Sequence, residues 1–325
     1  MEVKISLNKK KDSLFFRAYH RVNSIIPDKR IVLGDSIKKI CRFCGKGSNE
    51  TKFKMKAHVM PEFMGNKYCF SNFECDSCNS YFGELEDSLS NFAGILNTLS
   101  TVKGKKGYSK FKDNTEKYEL FADDFRKIIM RDENPEKNES FVIDEKSNRM
   151  NINVMQPGYI PQDVYKSLVK IALCMMNESD IRDYQRTLDW LKEPNMKDEE
   201  FDFMFHVFRK VGGEKMFPHP MAFLYRKLNN PSLRNFPSHT FVIYYGIIQY
   251  QIFIPYCQND FHLKSAETVH FPIENFLITE VIKGNVTEYG IDRIYLGGID
   301  KVKSERIKFS TGFKLEEKKT ATNSR

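Results

Sequence analysis

The sequence predicts an α+β protein built from a small cysteine-rich N-terminal module and a larger C-terminal α+β domain. Three observations lead to this prediction. Two Cys-x-x-Cys pairs lie close together in the first third of the chain, and the same third holds the whole excess of positive charge. Beyond them, helical apolar stripes alternate with β-branched and aromatic runs that are typical of strands.

Length and composition indicate a folded, non-membrane protein. A chain of 325 residues can form two domains with a sizeable core. The apolar fraction of 41% and the 27 phenylalanines argue against disorder. No apolar run reaches the ~18–20 residues of a membrane-spanning helix, and the N-terminus has no signal-peptide pattern. We therefore expect a cytoplasmic protein without a membrane partner.

Positive charge is concentrated near the N-terminus. Residues 1–110 contain 20 Lys/Arg and 11 Asp/Glu, whereas the rest of the chain contains 31 and 32. A localised basic region is typical of modules that bind polyanions such as nucleic acid, although basic segments also occur for solubility alone.

Four of the seven cysteines form the two pairs, which are separated by 30 residues: Cys41, Cys44, Cys75 and Cys78. Each pair places two sulfurs on a tight turn, and together they suit tetrahedral coordination of zinc. Disulfides are the competing interpretation, but they fit poorly with a cytoplasmic chain that has an odd number of cysteines. A closed four-thiolate site leaves no open coordination position, so we predict that the zinc is structural.

The stretch KFKMKAHV, which follows the first pair, predicts a strand with two different faces. Lys52, Lys54 and Lys56 fall on the same face as His58, because successive side chains of a strand point to opposite sides. Lysines often blunt a solvated edge strand, and they also contact phosphate. Both interpretations stay open from this stretch alone.

The remaining elements of the module follow in a fixed order. MPEFMGN predicts a turn, and KYCFSNF predicts a second short strand. After the second cysteine pair, an apolar stripe at helical spacing predicts a helix; its members are Leu85, Leu89, Phe92 and Leu96. The order is therefore cysteine pair, strand, turn, strand, cysteine pair, helix.

This order, with these residues, resembles the HNH (ββα-metal) endonuclease family, whose core is a β-hairpin and a helix that hold a divalent metal ion. The resemblance covers residues 38–95. The first histidine of the family matches His58 in AHVMPEFMGN, and the central asparagine matches Asn79 in CDSCN. The last position, which is acidic in some branches, matches Glu86, with Asp87 as the alternate.

The resemblance implies metal-dependent hydrolysis of DNA. His58 would be the general base, since its ordinary pKa of ~6.5 suits neutral pH. Asn79 would orient the imidazole or the hairpin, although an asparagine after a cysteine pair could simply cap the next helix. Glu86 would help to hold Mg²⁺ or Mn²⁺ through hard oxygen ligands. The three lysines of the first strand would contact backbone phosphates.

One departure from the family pattern leaves alternatives open. Most members carry a metal ligand directly before the catalytic histidine, and here that residue is Ala57, which has no ligand atom. The metal could be held by other groups, such as Glu62, by backbone carbonyls and by water. Alternatively, the protein binds nucleic acid without catalysis, or our alignment of the motif is shifted. A protein-interaction scaffold that uses only the zinc fold is a third class of function.

We divide the chain into an N-terminal extension (1–37), the HNH module (38–110), a C-terminal domain (111–312) and a disordered tail (313–325). In the C-terminal domain, two helices are predicted to begin near Asp163 and at Asp180, and two strands flank Gly246. This nearly neutral domain is expected to sense an activating ligand or a partner protein, or to form a homodimer. The resemblance permits a role in restriction or phage defence.

Overall fold

The computed structural model describes residues 2–6, 14–26, 29–112, 118–124, 127–132, 140–194, 196, 199–212, 217–274 and 291–312, and it shows a mixed α and β fold as predicted. The α-helices are α1 (Leu14–Ala18), α2 (Asp76–Ala93), α3 (Ile95–Leu99), α4 (Pro161–Met175), α5 (Glu178–Ile181) and α6 (Gln185–Lys192). The strands are β1 (Glu2–Ser6), β2 (Tyr19–Ile25), β3 (Ile31–Leu33), β4 (Ala57–His58), β5 (Cys69–Ser71), β6 (Lys103–Gly104), β7 (Gly107–Tyr108), β8 (Lys110–Lys112), β9 (Tyr118–Asp124), β10 (Lys127–Asp132), β11 (Phe141–Asp144), β12 (Arg149–Gln156), β13 (His206–Val211), β14 (Phe217–Lys227), β15 (His239–Gly246), β16 (Ile248–Phe253), β17 (Thr268–Pro272), β18 (Ile291–Tyr295) and β19 (Glu305–Gly312).

An antiparallel sheet in the order β18-β13-β16-β15-β14-β2 forms the centre of the molecule. Every residue of β15 and β16 is buried. Their β-branched and aromatic side chains suit a strand that is covered on both faces. The two predicted strands around Gly246 are thus confirmed, and Gly246 makes the turn between them with φ of +51°.

The first two strands of the chain pair with strands that lie far away in sequence. β1 pairs in parallel with β17, and β2 is the edge strand next to β14. Two strands of the predicted extension 1–37 therefore belong to the sheets of the C-terminal region, whereas its third strand, β3, pairs with β5 of the predicted module. The predicted HNH module lies in sequence between these strands and the rest of the sheet.

Helix α4 lies between this sheet and the predicted module. All of its residues except Asp163 are buried, and it packs against α2. The hydroxyl of Tyr165 lies 2.7 Å from the carbonyl oxygens of Met204 and Phe253, on the sheet side. The helix begins at Pro161, which suits proline because the first turn has no acceptor for its missing N–H.

Arg42, which lies inside the first cysteine pair, holds the C-terminal end of α4. Its Nη1 donates hydrogen bonds to the carbonyls of Leu173 (2.6 Å) and Met176 (2.9 Å), and its guanidinium lies 3.6 Å from the centre of the Phe73 ring. It also forms an ion pair with Glu178. The last carbonyls of a helix have no partner within the helix, and a cation is favourable at that end.

The prediction of a lysine-rich strand is wrong over most of its length. The ladder contains only Ala57 and His58, in β4. The backbone N–H of Asp76 donates to the carbonyl of Lys52 (2.8 Å), and the backbone N–H of Met55 donates to the Asp76 carboxylate (2.8 Å). The start of α2 thus uses backbone groups that a longer strand would need for its ladder.

The predicted helices are confirmed with two interruptions. Gly94, with φ of +51°, ends α2, so that Leu96 of the predicted stripe lies in α3. The second C-terminal helix is divided into α5, a 3₁₀ turn over Arg182–Tyr184, and α6. The predicted tail 313–325 lies outside the described residues. Within the part of the chain that the structure describes, no helix is long and apolar enough to cross a bilayer.

The Arg42 contact yields a stability prediction. We expect Arg42→Met to lower the free energy of unfolding by about 2–4 kcal/mol, because buried helix carbonyls lose a charged donor. Urea unfolding followed by circular dichroism measures this change. The exposed Lys46, four residues further along, provides the matched control Lys46→Met. Equal unfolding free energies for the two variants would contradict the proposed role of Arg42.

Candidate zinc site and active-site cleft

The four cysteines of the two pairs converge as predicted. Their sulfur atoms all lie within 4.8 Å of one another, and the Sγ atoms of Cys44 and Cys75 are 3.8 Å apart. In a tetrahedral site with Zn–S bonds of ~2.3 Å, the sulfurs are ~3.8 Å apart. The group could therefore hold one metal ion, and its donors suit zinc. Among the described side chains, no other set of three or more His, Cys, Asp or Glu residues gathers as closely.

Local backbone geometry brings the sulfurs together. Gly45 adopts a φ of +75°, and its N–H donates to the carbonyl of Cys41 (2.8 Å), which closes the first turn. Cys75 precedes the first residue of α2 and accepts from the N–H of Asn79 (2.9 Å). The hydrogen bond from the Cys78 thiol lowers the pKa of Cys41 to about 5. All seven cysteines are free thiols in the structure.

The β-hairpin and helix of the predicted module are present. β4 pairs in antiparallel fashion with β5, which places His58 opposite Phe70, and β3 lies on the other side of β5. The buried Asn66 side chain braces the connecting loop, because its Nδ2 donates to the carbonyls of Met60 (2.7 Å) and Cys69 (2.8 Å). Our sequence interpretation predicted only a turn at this loop. The Gly-Asn pair was the sequence signal for the role of Asn66.

A cleft with a volume of about 1040 Å³ lies beside the hairpin and α2. The β6–β7 hairpin, part of a Lys- and Gly-rich segment, forms another of its walls. The predicted catalytic residues and the predicted ligands of the catalytic metal ion all line this one cleft: His58, Asn79, Glu86 and the alternate Asp87.

The predicted lysines divide into two groups. Lys56 lines the cleft, where its Nζ lies 3.8 Å from the centre of the Phe70 ring. Lys52 and Lys54 are exposed and do not belong to the lining. The cleft gains three further lysines that our sequence interpretation did not single out: Lys67, Lys105 and Lys106. The last two lie at the tip of the β6–β7 hairpin, and their signal was the Lys-Gly composition of that segment.

His58 lines the cleft, and its side chain is 19% exposed. Its Nε2 is 3.8 Å from the Oε1 of Glu62, and its ring meets the Phe70 ring edge-on. Its Nδ1 is buried and has no hydrogen-bond partner among the described residues. Burial lowers the pKa of His58, against the opposing effect of Glu62. The imidazole is therefore neutral at pH 7 and can accept a proton.

Asn79 lies within the first turns of α2 rather than at its cap. The N-cap residue is Cys75, so the alternative interpretation of Asn79 as the cap is wrong. The Asn79 amide nitrogen is 4.0 Å from the sulfur of Met55, on the segment that leads into β4. The structure thus places Asn79 beside the hairpin and at the cleft, without a hydrogen bond to the unpartnered nitrogen of His58.

Glu86 contacts a residue that our sequence interpretation missed. The Nζ of Lys170, from α4, lies 3.5 Å from the Glu86 carboxylate and 3.2 Å from the Glu74 carboxylate. Burial raises the pKa of both glutamates. Burial alone would lower the pKa of Lys170, but the two carboxylates raise it above its ordinary value, so the ammonium is charged. The sequence signal for this contact was the pair Lys166 and Lys170, which are four residues apart on a helix whose other residues are mostly apolar.

Oxygen donors for a second ion border the cleft, although they do not gather as the thiols do. The carboxylates of Glu62, Glu86 and Asp87 all line it. Mg²⁺ keeps several water ligands and is usually bound through one or two carboxylates together with substrate phosphates. This donor set therefore suits a hydrated hard cation. Ala57 is 2% exposed and contributes no ligand atom.

Residues 41–91 match the family model described as HNH endonuclease. The match confirms the predicted resemblance over that segment and indicates a nuclease that acts on nucleic acid. No curated protein and no solved structure matches the chain. The matched segment includes both cysteine pairs, His58, Asn79 and Glu86, whereas α4 lies outside it.

The thiol cluster predicts the metal content of the protein. We expect about one zinc per chain, and we expect Cys75→Ser to lose most of it together with thermal stability, because structural zinc contributes directly to folding. Elemental analysis and thermal unfolding measure the two effects. Cys69→Ala, which changes a buried cysteine of the same module outside the cluster, should keep its zinc. The assignment would be disproved if the wild-type protein contained no zinc and melted at the same temperature as Cys75→Ser.

Proposed function

We propose that this chain is a metal-dependent endonuclease that hydrolyses phosphodiester bonds of DNA. The observation that supports this function best is the cleft that contains His58, Asn79 and Glu86, three residues of the segment that matches the family model. A neutral imidazole, an amide and carboxylates face a space large enough for a phosphate group and the adjoining sugars. Structural zinc in the four-cysteine site holds the hairpin and helix that carry these groups.

In the proposed reaction, His58 takes a proton from the attacking water. Burial favours its neutral form, which is the form that a general base requires. Glu62, at 3.8 Å from Nε2, would stabilise the imidazolium that results. Mg²⁺ or Mn²⁺, when bound by Glu86 or Asp87, would supply positive charge near the phosphorane and the leaving oxygen. Asn79 holds the approach to β4 through the segment around Met55.

Lysines around the cleft would position the DNA backbone. Lys56, Lys105 and Lys106 surround the space next to His58, and Lys52 and Lys54 extend the positive surface outside it. Contacts of this kind bind phosphates without reading base sequence. Affinity for DNA should therefore fall steeply as salt concentration rises.

The C-terminal region would control or target this activity. It contacts the module through α4 and is nearly neutral, so it is suited to a ligand, a partner protein or a second subunit rather than to DNA. A role in restriction or phage defence fits a nuclease module that is joined to such a region. The organisation of the chain is the support for this finer assignment.

A specific observation favours one alternative, a nucleic-acid-binding protein without catalysis. Ala57 is buried and has no ligand atom, and Glu86 is paired with Lys170. Both features reduce the number of groups that are free to bind a metal ion. Binding to phosphates through the lysines of the cleft would not depend on either feature.

Plasmid cleavage distinguishes these functions. We expect the wild type to nick supercoiled plasmid in Mg²⁺ or Mn²⁺, and His58→Ala to lower the rate by about 10²–10⁴-fold because the base is lost. DNA affinity, measured by fluorescence anisotropy, should stay within about threefold, since phosphate contacts remain. The exposed His20 on β2 supplies the control His20→Ala, which should cut normally.

Two other results would replace the proposal. If the wild type binds DNA but does not cut it with any of several divalent metals, the non-catalytic alternative is correct. If the wild type shows no salt-dependent DNA binding at all, the zinc fold is a scaffold for protein interactions.

A further inference from the structure

Lys170 is a buried ammonium that contacts three groups of the candidate nuclease site. Its side chain is 2% exposed, and its Nζ donates a hydrogen bond to the backbone carbonyl of His58 (2.7 Å). The same atom pairs with the carboxylates of Glu74 (3.2 Å) and Glu86 (3.5 Å). A lysine ammonium has three donors, and here each has an acceptor. The family-matched segment ends before α4, so this contact comes from outside it.

The His58 carbonyl lies where the small sheet of the module ends. The strand order is β3-β5-β4, and β4 is an edge strand of only two residues. So short a ladder fixes a strand weakly, and an edge strand leaves backbone groups on its outer side without a neighbouring strand. The hydrogen bond from Lys170 gives β4 an additional attachment at the residue that carries the imidazole.

Glu86 and His58 are joined through this one atom. Glu86 lies on α2 and His58 on β4, and both side chains line the cleft. Because Lys170 contacts the carboxylate of one and the carbonyl of the other, a shift of α4 would move both groups. Helix α4 is itself held at its C-terminal end by Arg42 and on its sheet side by Tyr165.

A second buried lysine on the same helix shows that this contact is not a general feature of α4. Lys166, one turn earlier, is 1% exposed and donates to the carbonyl of Glu193 (2.5 Å). Its Nζ lies 5.1 Å from the centre of the Trp190 ring. Lys166 thus joins α4 to the end of α6, whereas Lys170 is directed toward the cleft.

We propose that Lys170, on helix α4, is a positioning residue of the nuclease site. It fixes the His58 backbone and the Glu86 carboxylate relative to each other. The role in cleavage rests on the proposed function, whereas the effect on His58 itself does not. Through Lys170, the C-terminal region sets the geometry of a site that the matched segment alone leaves incomplete.

The test needs a variant that removes the donor and still folds. Lys170→Met alone leaves two carboxylates facing each other in the interior, and such unpaired charges destabilise a fold. The double variant Lys170→Met/Glu74→Gln removes one of these charges and leaves Glu86, which borders the cleft. Glu74→Gln alone keeps the donor to His58, and Lys166→Met controls for loss of a buried lysine from α4.

The first readout is the imidazole signal of His58 in full-length protein with labelled histidines, assigned by loss of that signal in His58→Gln. We expect the double variant to shift or broaden this signal, while Glu74→Gln and Lys166→Met leave it in place. Zinc content and circular dichroism confirm that each variant is folded. A His58 signal in the double variant that coincides with that of Glu74→Gln would overturn the proposal, whether or not the protein cuts DNA.

The second readout is DNA cleavage, which distinguishes misplacement of the catalytic groups from a change in DNA binding. We expect kcat of the double variant to fall on the order of 100-fold, as a displacement of about 1 Å in a catalytic group can cause. KM for DNA should change by less than about threefold, because Lys170 does not line the cleft. A wild type that cuts, with an equally active double variant, would refute the positioning role and leave the nuclease function intact.

Discussion

The polar groups of helix α4 are buried away from water and need hydrogen-bond partners within the protein. This constraint connects the separate parts of the molecule. Its C-terminal carbonyls accept from Arg42 of the first cysteine pair. The Tyr165 hydroxyl bonds to the sheet, and Lys170 bonds to the hairpin of the candidate nuclease site. A buried donor or ammonium without a partner costs more than most single contacts contribute. Each of these side chains therefore fixes the position of its partner as well as its own.

Features that depend on local spacing could be predicted from the sequence. The two Cys-x-x-Cys pairs imply a thiolate cluster from spacing alone, and the apolar stripes of α2 and α4 follow from helical periodicity. The alternating segment before His58 was misleading because Asp76, more than 20 residues away, binds the backbone that would otherwise extend β4. Alternation reports which side chains can share a face and not which backbone groups form a ladder.

Contacts between distant segments could not be predicted in this way. Lys170 lies 112 residues from His58 in sequence, and no local pattern states which carbonyl it meets. The β6–β7 hairpin was recognisable as Lys-rich, but its place at the cleft depends on the path of the chain after α3. Composition shows only that the first third of the chain carries the excess of positive charge. In the structure, part of that charge surrounds a cleft that also contains carboxylates.

The first two strands pair with strands that lie far downstream in sequence, and this has a consequence for the nascent chain. During translation, β2 leaves the ribosome roughly 200 residues before β14 is complete, and at cellular rates of about 5–20 residues per second this interval lasts tens of seconds. Throughout that time these segments lack the strands with which they pair, and unpaired strand edges favour association between chains. The first two strands of the fold therefore stay without their partners until Phe217–Lys227 and Thr268–Pro272 have been synthesised.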